Sequence, residues 1–404
     1  MSKNIVIIGG GAAGFFTAIT AKEKNPDLDV LLLEKGKEVL QKVKISGGGR
    51  CNVTHACFVP SDLVQSYPRG KKELLGPFHQ FMTGDAMEWF EKRGVPLKIE
   101  KDNRVFPESN SSQSIVDCFQ GLVDKLGIQV LTNHGVNSVE KTDNGWLIFT
   151  EKHTFKASHL VIAGGSSKRL WDLVSNLGHS IVPPVPSLFT FKIKDPRLTD
   201  LLGTSVPNAT VTLKDSKFEA KGPLLITHWG LSGPAVLKLS AFAARVLAEK
   251  KYVYQVQVNW LSKSLQSTIQ VLQKLKKESP KKQVALRSPF PEITKRLWER
   301  FVHASGMDTQ IRWADLTHKK IDVLAAQLTQ CQFSANGKST FKEEFVTAGG
   351  IDLREINFKR FESKVHDKLF FAGEILNIDA ITGGFNFQNA WTGGFLIGSA
   401  LATD

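Results

Sequence analysis

Three glycines near the start of the chain have the spacing of a phosphate-binding turn. Gly9, Gly11 and Gly14 follow an apolar run at residues 4–8 and precede a helical pattern at residues 15–24. Gly9 permits a tight turn, Gly11 lets a pyrophosphate approach the backbone, and Gly14 allows close packing of the helix on the strand. The free N–H groups at the start of the helix then face the phosphates.

A carboxylate follows at the distance expected for ribose binding. Glu34 lies twenty positions after Gly14, at the end of a second apolar strand, Asp29–Leu33. A strand, a helix, a second strand and an acid in this register predict a dinucleotide site on a parallel sheet. We assign Ala12, Ala13 and Lys35 to the same site.

The other end of the chain carries a second cofactor pattern. A buried strand at residues 369–372 ends in Gly373-Glu374, and a glycine-rich segment then leads into an uncharged helix predicted at 389–401. Flavoproteins place the ribityl chain and the pyrimidine end of the flavin at such a helix start, where the helix dipole stabilises negative charge on the reduced ring. The residues assigned here are Gly373, Glu374, Gly384, Phe385, Asn386, Phe387 and Gln388.

A third glycine-rich loop can close over a cofactor. Its residues are Ser46, Gly47, Gly48, Gly49, Arg50, Cys51 and Asn52. Arg50 can meet a phosphate and Asn52 can bond a ring edge. A further buried strand ends at Ala163 and runs into Gly164-Gly165, and we assign these three residues and Val136 to the FAD site as well.

Two side chains are candidates for proton transfer. Cys51 either faces the flavin or packs as a small buried hydrophobe, and His228, in the sequence Thr-His-Trp-Gly, is either a proton donor or a core histidine. Cys51, His55 and Cys57 lack a fourth nearby ligand, and the four cysteines form no CxxC pair, so we expect no metal site.

Several longer segments resemble a known family. With the glycine fingerprint they are similar to the HI0933/YhiN-type flavoproteins, also called the BaiN/RdsA family, over nearly the whole chain. The segments are Ser46–Thr54, Asn103–Pro107, Gly222–Pro234, Val346–Ile351, Glu362–Lys364 and Gly373–Gln388.

This resemblance implies bound FAD and an oxidoreductase of the two-dinucleotide-binding-domain type. Activities proposed across the family are amine oxidation, steroid chemistry and reduction of a ribosomal-RNA uridine to dihydrouridine. The sequence departs from the family pattern at Asn103 and Ala380, where glycine is usual, and at Arg360-Phe361.

The predicted fold is α/β, a Rossmann-like FAD-binding domain with an inserted domain that is β-rich and then helical. The FAD-binding domain is expected to be discontinuous, at 1–188 and 345–404, because a buried strand and flavin-type loop return late in the chain. The β-rich part of the insert is assigned to 189–262 and the helical part to 263–344.

The net charge of +13 points to an anionic partner. Between Lys251 and Arg300 there are eleven basic and three acidic residues, with Trp298 and Trp313 in or near that stretch. Clustered cations suit a phosphate backbone, and they equally suit the solvated face of amphipathic helices. The uncharged stretches 4–21 and 381–403 are too rich in Gly, Asn, Gln and Thr for a membrane span. The first is not a signal peptide, because its basic region is minimal and its glycines have the fingerprint spacing. We therefore expect a cytoplasmic protein with no membrane association.

Three function classes follow. The first is an FAD-dependent oxidoreductase acting on RNA, the second a small-molecule flavin oxidase or dehydrogenase for amines or hydrophobic rings, and the third a non-enzymatic RNA-binding flavoprotein. The sequence has no second GxGxxG, so either NAD(P)H docks directly on the flavin or another donor supplies electrons. The oligomeric state is not determined by these patterns.

The cofactor assignment is testable on the purified protein. It should be yellow and should release FAD rather than FMN or NAD. Replacement of Glu34 by Arg should weaken FAD binding, because it removes an acceptor for the ribose hydroxyls. A colourless protein that takes up no added FAD would contradict the assignment.

Overall fold

A computed structural model of the protein describes residues 3–339 and 346–404. The chain forms two compact units, which are described separately below. Unit 1 comprises residues 1–185 and 346–404, and unit 2 comprises residues 186–345. The sequence-predicted boundaries at residues 344 and 345 lie outside the described residues.

The strands are numbered along the chain. They are β1 (Asn4–Ile8), β2 (Asp29–Leu33), β3 (Thr54–His55), β4 (Leu97–Ile99), β5 (Arg104–Pro107), β6 (Gln129–Leu131), β7 (Val136–Thr142), β8 (Gly145–Thr150), β9 (Thr154–Ala157), β10 (His159–Ile162), β11 (Ile181–Ser187), β12 (Thr190–Lys192), β13 (Ser205–Leu213), β14 (Glu219–Thr227), β15 (Gly230–Ser232), β16 (Val253–Asn259), β17 (Cys331–Asn336), β18 (Lys338–Ser339), β19 (Val346–Ile351), β20 (Ile356–Asn357), β21 (Glu362–Ser363) and β22 (Leu369–Phe371).

The helices are numbered in the same way. They are α1 (Ala12–Lys24), α2 (Gln41–Gly49), α3 (Pro60–Leu63), α4 (Lys71–Phe78), α5 (Thr83–Glu91), α6 (Gln113–Lys125), α7 (Lys168–Asn176), α8 (Pro234–Phe242), α9 (Ala244–Glu249), α10 (Leu265–Glu278), α11 (Lys295–Ala304), α12 (His318–Thr329) and α13 (Phe385–Thr403). One of the 3₁₀ segments, Gly373–Ile375, follows β22.

Unit 1 is built on a seven-stranded sheet of order β20-β21-β22-β10-β1-β2-β6. The strands from β22 to β6 are parallel, and the four residues Ile5–Ile8 of β1 are buried. Parallel strands covered on both faces read as continuous apolar runs, which is why β1, β2 and β10 were recognisable in the sequence. Strand β1 lies between β10 and β2 and is parallel to both. The loops that follow these three strands therefore leave the same edge of the sheet side by side, and all three carry residues assigned to the cofactor.

Helix α1 packs against the C-terminal helix α13 through glycines. A Cβ atom at Gly398 would lie 2.6 Å from the Cβ of Thr20 and 2.8 Å from the carbonyl oxygen of Thr17. A Cβ atom at Gly394 would lie 2.9 Å from the Cβ of Phe16. These spacings are shorter than packed carbon atoms tolerate, so only glycine permits this approach of the two helices.

Smaller sheets complete unit 1. The strands β3, β5 and β4 form one antiparallel sheet, β7, β8 and β9 form a meander, and β11 pairs with β19. Asn103 precedes β5 with a φ of +63°. That left-handed conformation favours glycine or asparagine, so Asn103 serves where the family pattern has glycine.

Unit 2 is an antiparallel seven-stranded sheet of order β17-β16-β13-β14-β15-β12-β18 with helices packed on it. Its β-rich and helical parts share one core, which includes Val211, Val256, Leu272, Phe301 and Leu324. The two predicted parts therefore mix in the fold. Strand β17 lies in the stretch predicted to be helical, and α8 and α9 lie in the stretch predicted to be β-rich.

The C-terminal helix begins earlier than the sequence analysis predicts. Helix α13 starts at Phe385, with Gly384 at its N-cap and a φ of +91° there, whereas residues 389–401 were predicted. The helix therefore includes Phe385 to Gln388 in its first turn, because the turn that precedes it is completed by the glycine pair Gly383-Gly384. Among the described residues, no helix is long and apolar enough to cross a membrane.

The contact between α1 and α13 can be tested by adding one methyl group. Gly398→Ala should destabilise unit 1 by about 1–3 kcal/mol, because overpacking at a backbone contact forces the helices apart. The matched control is Gly121→Ala in α6, where a Cβ meets nothing within 4 Å and helix propensity favours Ala by about 1 kcal/mol. Thermal unfolding should show a lower midpoint for the first variant only. Equal midpoints for the two variants would contradict the packing argument.

Candidate functional site

The loops after β1, β10, β22 and β2 meet at the carboxyl edge of the central sheet of unit 1. A Cβ atom at Gly9 (φ +118°) would lie 2.6 Å from the carbonyl group of Ala163. The loop after β1 thus lies directly against the loop after β10. In doubly wound sheets this edge is where ligands bind.

The start of α1 is free to receive an anion. Gly11 is its N-cap, with no side-chain capping bond and no acidic residue in the first turn. A Cβ atom at Gly11 would meet nothing within 4 Å, whereas one at Gly14 would lie 2.1 Å from the oxygen of Gly9. Gly14 is therefore required by the fold, and Gly11 leaves open space beside Ala12 and Ala13 for a ligand.

The carboxylate of Glu34 is held in place by backbone N–H groups. Its Oε2 accepts from Gly10 N at 2.8 Å, and its Oε1 accepts from Gly36 N at 2.7 Å. A carboxylate oxygen has two lone-pair sites. Each oxygen of Glu34 therefore retains an acceptor site, and the two backbone bonds orient the group for a ribose diol.

Lys35 and the residues around it line a cavity of about 340 Å³. Its other lining residues are Asn133, Gly135, Thr150, Glu151, Lys152 and Arg169. Val136 lies at the start of β7 and is 4% exposed, so its side chain belongs to the core. Only its backbone remains available to the cofactor role predicted for Val136.

The loops after β10 and β22 also come together. A Cβ atom at Gly165 would lie 3.8 Å from Oε2 of Glu374 and 3.9 Å from Nζ of Lys42. Lys42 and Glu374 form an ion pair. A Cβ atom at Gly373 would lie 3.4 Å from that of Ala13, so the glycine-acid pair lies beside the start of α1. Gly164, by contrast, packs on Leu170.

The glycine-rich segment 46–52 overlaps the end of α2, where the backbone leaves the helical conformation at Ser46, Gly47 and Gly48. Gly47, Gly48 and Gly49 have φ values of +59°, +69° and +82°. A Cβ atom at Gly48 or at Gly49 would meet nothing within 4 Å. The two glycines therefore present bare backbone to open space, and the hydroxyl group of Ser46 donates to Val43 O at 2.9 Å.

This loop is joined to the start of α13. With its amide oriented to match its neighbours, Asn52 accepts from Gly384 N at 3.0 Å and donates to Thr54 O at 3.0 Å. A Cβ atom at Gly384 would lie 2.6 Å from the carbonyl group of Thr54. The side chain of Asn52 therefore positions the helix start instead of reaching a cofactor ring.

Arg50 and Gln388 are also occupied within the protein. The guanidinium of Arg50 pairs with Glu100 at 2.7 Å and lies over the ring of Phe106 at 3.9 Å. Gln388 is fully buried and accepts from Thr54 Oγ1 at 2.6 Å. Both were predicted to contact the cofactor, and these contacts instead give them a role in holding the loops.

Residues 385–387 have distinct surroundings. Phe385 is buried, Asn386 exchanges hydrogen bonds with the backbone of Ala380, and Phe387 stacks on Trp391 at 5.5 Å. The first turn of α13 therefore offers backbone N–H groups to a ligand, and Asn386 and Phe387 are its partly exposed side chains.

His55 was missed as a residue of this site. Its ring lies 4.4 Å from that of Phe385, and its Nδ1 lies 3.2 Å from Gly383 O. Half-burial lowers the pKa of His55 below its usual value, so the ring is neutral at neutral pH and Nδ1–H donates to that carbonyl. Nε2 is then a hydrogen-bond acceptor. The signal was its position directly after the loop motif Ser46–Thr54.

Cys51 is fully buried and has a φ of +59°. Burial raises the pKa of Cys51 to about 12, so the thiol is protonated across the physiological range and is a weak acid. Its surroundings belong to the core of unit 1. Burial therefore argues against the proton-donor role predicted for Cys51 and in favour of packing.

His228 lies in unit 2, in the turn between β14 and β15, and is exposed. Its ring lies 4.6 Å from that of Trp229. It is not the buried core histidine that the sequence left as an alternative.

The residues at the carboxyl edge fit FAD. A Cβ atom at Gly11, Gly48 or Gly49 would meet nothing within 4 Å, so the backbone at these positions is accessible to a ligand, and the helix start at Gly11 carries no side-chain capping group. Glu34 supplies an oriented acceptor at the ribose position. These features provide anion, ribose and close-approach contacts in one place.

Comparison with known proteins identifies the family. Residues 3–400 match the HI0933-like protein Rossmann domain. The chain belongs to the HI0933-like family. This confirms the resemblance stated from the sequence motifs, and the family is enzymatic.

Two curated relatives align over almost their whole length. The chain is 28% identical to a 3-dehydro-bile acid delta(4,6)-reductase of Clostridium scindens, over 99% of each chain. It is 28% identical to a ribosomal RNA dihydrouridine synthase of Escherichia coli, over 96% of this chain and 95% of the relative.

Among solved structures, the chain resembles a 3-ketosteroid-delta4-(5alpha)-dehydrogenase from Rhodococcus jostii RHA1. The TM-score is 0.53 at 12% identity, over 100% of this chain and 97% of the other. The likeness confirms the predicted fold class, a Rossmann-like FAD-binding domain with an additional sheet domain.

The role of Cys51 can be tested by substitution. Cys51→Ala should lower the turnover rate less than about fivefold, because a buried thiol with a raised pKa transfers no proton. Removal of a general acid costs about 10²- to 10⁴-fold. Single-turnover oxidation of the reduced enzyme by substrate would measure the step. A hundredfold decrease in the rate of this step, at normal FAD content, would show that Cys51 is the proton donor after all.

Proposed function

We propose that the protein is an FAD-dependent reductase that converts a uridine of RNA to dihydrouridine. The cofactor is FAD, held by the fingerprint loop, Glu34, the glycine-rich loop and the start of α13. NAD(P)H is a candidate electron donor. The observation that carries the RNA substrate is the charge of unit 2.

That charge is concentrated in one unit. Unit 2, residues 186–345, has 25 Lys and Arg against 13 Asp and Glu, a net charge of +12. Unit 1 has 27 Lys and Arg against 26 Asp and Glu, a net charge of +1. A unit that carries nearly the whole excess supports binding of a polyanion outside the FAD-binding unit.

Part of the predicted Lys251–Arg300 cluster supports this proposal. Lys277, Lys281 and Lys282 are exposed, and they form no ion pair within the described part of the chain. Other members are engaged: Lys274 pairs with Glu278, and Lys276 donates to Leu316 O. The cluster thus contains both free cations and cations that stabilise the helices.

The chemistry needs few side chains. The hydride would come from FAD bound in its reduced form. Reduction of a uracil ring then requires hydride at C6 and a proton at C5. The protein has to bind the RNA, place one unstacked base and exclude water from it. Of the two proton-transfer candidates, His228 is the one that solvent reaches.

A reductase for a small hydrophobic ring is the second candidate. It is favoured by the similarity to the bile acid reductase, which equals that to the E. coli ribosomal RNA dihydrouridine synthase in percentage identity. The positive charge of unit 2 would contribute little to the binding of such a substrate. The two candidates therefore differ in how activity responds to the removal of lysines.

The charge argument gives a direct test. The triple variant Lys277→Gln, Lys281→Gln and Lys282→Gln should weaken RNA binding. Each phosphate that the variant no longer neutralises should reduce the slope of log K against log salt by about 0.7. FAD content should not change, because the three residues lie in unit 2. The measurement is a salt titration of affinity together with dihydrouridine formation.

A matched control has the same change of charge in unit 1. Lys72→Gln, Lys101→Gln and Lys125→Gln alter three exposed lysines there and should leave the salt slope unchanged. Equal slopes for the two triple variants would remove the cluster from the mechanism. Turnover of a bile acid but not of RNA would favour the second candidate.

A further inference from the structure

Trp229 differs from every other tryptophan of the chain. All eight tryptophans lie within the described residues, and the other seven are at most 8% exposed, whereas Trp229 is 40% exposed. Exposure of a large aromatic ring is costly unless the ring has a partner. Its exposure makes the ring available to a partner at the surface of unit 2.

The turn that carries Trp229 is held firmly. A Cβ atom at Gly230 would lie 2.4 Å from Phe191 O, so the turn lies directly on β12. Trp229 O accepts from Ile193 N at 2.9 Å, and Trp229 N donates to Thr227 Oγ1 at 3.3 Å. The backbone that presents the ring is thus fixed before any ligand binds.

One cation and a second ring lie beside the Trp229 ring. Nζ of Lys192 lies 5.2 Å from the centroid of the Trp229 ring, and the ring of His228 lies 4.6 Å away at an angle of 45°. Trp229, His228 and Lys192 form what we call the aromatic platform.

The next strand repeats the pattern. β18 pairs with β12, so that Lys338 lies opposite Phe191, and Nζ of Lys338 lies 3.8 Å from the centroid of the Tyr252 ring. A Cβ atom at Gly337 would lie 3.4 Å from Cδ of Lys192. The pair of Lys338 and Tyr252 therefore lies near Lys192, through the contact of Gly337 with the Lys192 side chain.

The helical cluster cannot provide this kind of contact. Trp298 and Trp313, which the sequence placed with the Lys251–Arg300 cations, are 0% and 4% exposed. Trp298 Nε1 donates to Val284 O, and its ring packs in the core of unit 2. The Lys251–Arg300 cluster therefore offers positive charge without an exposed tryptophan. The turn at Trp229 offers an exposed tryptophan with Lys192 beside it.

We propose that the aromatic platform at Trp229 stacks an unpaired base of single-stranded RNA, with Lys192 and Lys338 beside the adjoining phosphates. Base stacking on an exposed ring flanked by cations is a general mode of single-strand recognition. The net charge of +12 on unit 2 complements a polyanion and repels a basic peptide. This inference rests on the proposed RNA substrate and names where the strand is held.

Fluorescence isolates the ring in the holoprotein. Trp229 is the tryptophan that acrylamide reaches, so a 12-residue oligouridylate should reduce acrylamide quenching. Trp229→Ala should remove the quenchable component and weaken binding of this oligomer about five- to 100-fold, and Trp229→Phe should retain most of the affinity. An abasic oligomer of equal charge should bind the wild type and Trp229→Ala equally.

The control variant is Leu286→Ala, which removes a 57% exposed apolar side chain between α10 and α11 and should bind like the wild type. Affinity for the oligouridylate that is unchanged in Trp229→Ala would overturn the platform and leave the proposed reductase standing. Stacking without any dihydrouridine formation would support the platform and contradict the reductase. A wild type that binds neither oligomer at low salt would overturn both.

Discussion

The close approach of backbone on both sides of α1 is the constraint on which unit 1 depends. At its start, Gly14 packs on the oxygen of Gly9, and Gly9 packs on the carbonyl group of Ala163. Along the length of α1, Gly394 and Gly398 of α13 contact backbone atoms and Cβ atoms of α1. Because no Cβ atom fits at these positions, the free N–H groups of α1 are fixed at the carboxyl edge of the sheet. The ends of the other parallel strands then supply the remaining contacts.

The two units differ in net charge. In unit 1, at +1, the residues assigned to the cofactor offer oriented backbone groups and one anchored carboxylate, and this assignment requires no net charge. Unit 2, at +12, creates a field that attracts polyanions over a Debye length of about 10 Å at moderate salt. Charge of this kind attracts RNA without selecting a base. The proposed aromatic platform would add a contact that requires an unpaired base.

Several polar side chains in the glycine-rich loops stabilise the loops themselves. Arg50 is held by Glu100 and Phe106, Asn52 by Gly384 and Thr54, and Gln388 by Thr54. A buried polar group without a partner costs free energy, so each of these groups is paired within the fold. The bare backbone between them remains for the cofactor. This arrangement explains why the motifs combine glycine with polar residues.

The sequence alone determined the parallel strands, the fingerprint turn and Glu34, because local spacing and apolar runs specify them. It also located the excess charge. Burial and orientation were decided by the tertiary structure, since they depend on residues far apart in sequence. Contacts with residues more than 300 positions away tie the 46–55 segment to α13, and the core around Cys51 leaves that thiol protonated. The sequence does not show which of Trp298 and Trp229 is buried. Packing against the core buries the first ring, and a glycine turn on β12 exposes the second.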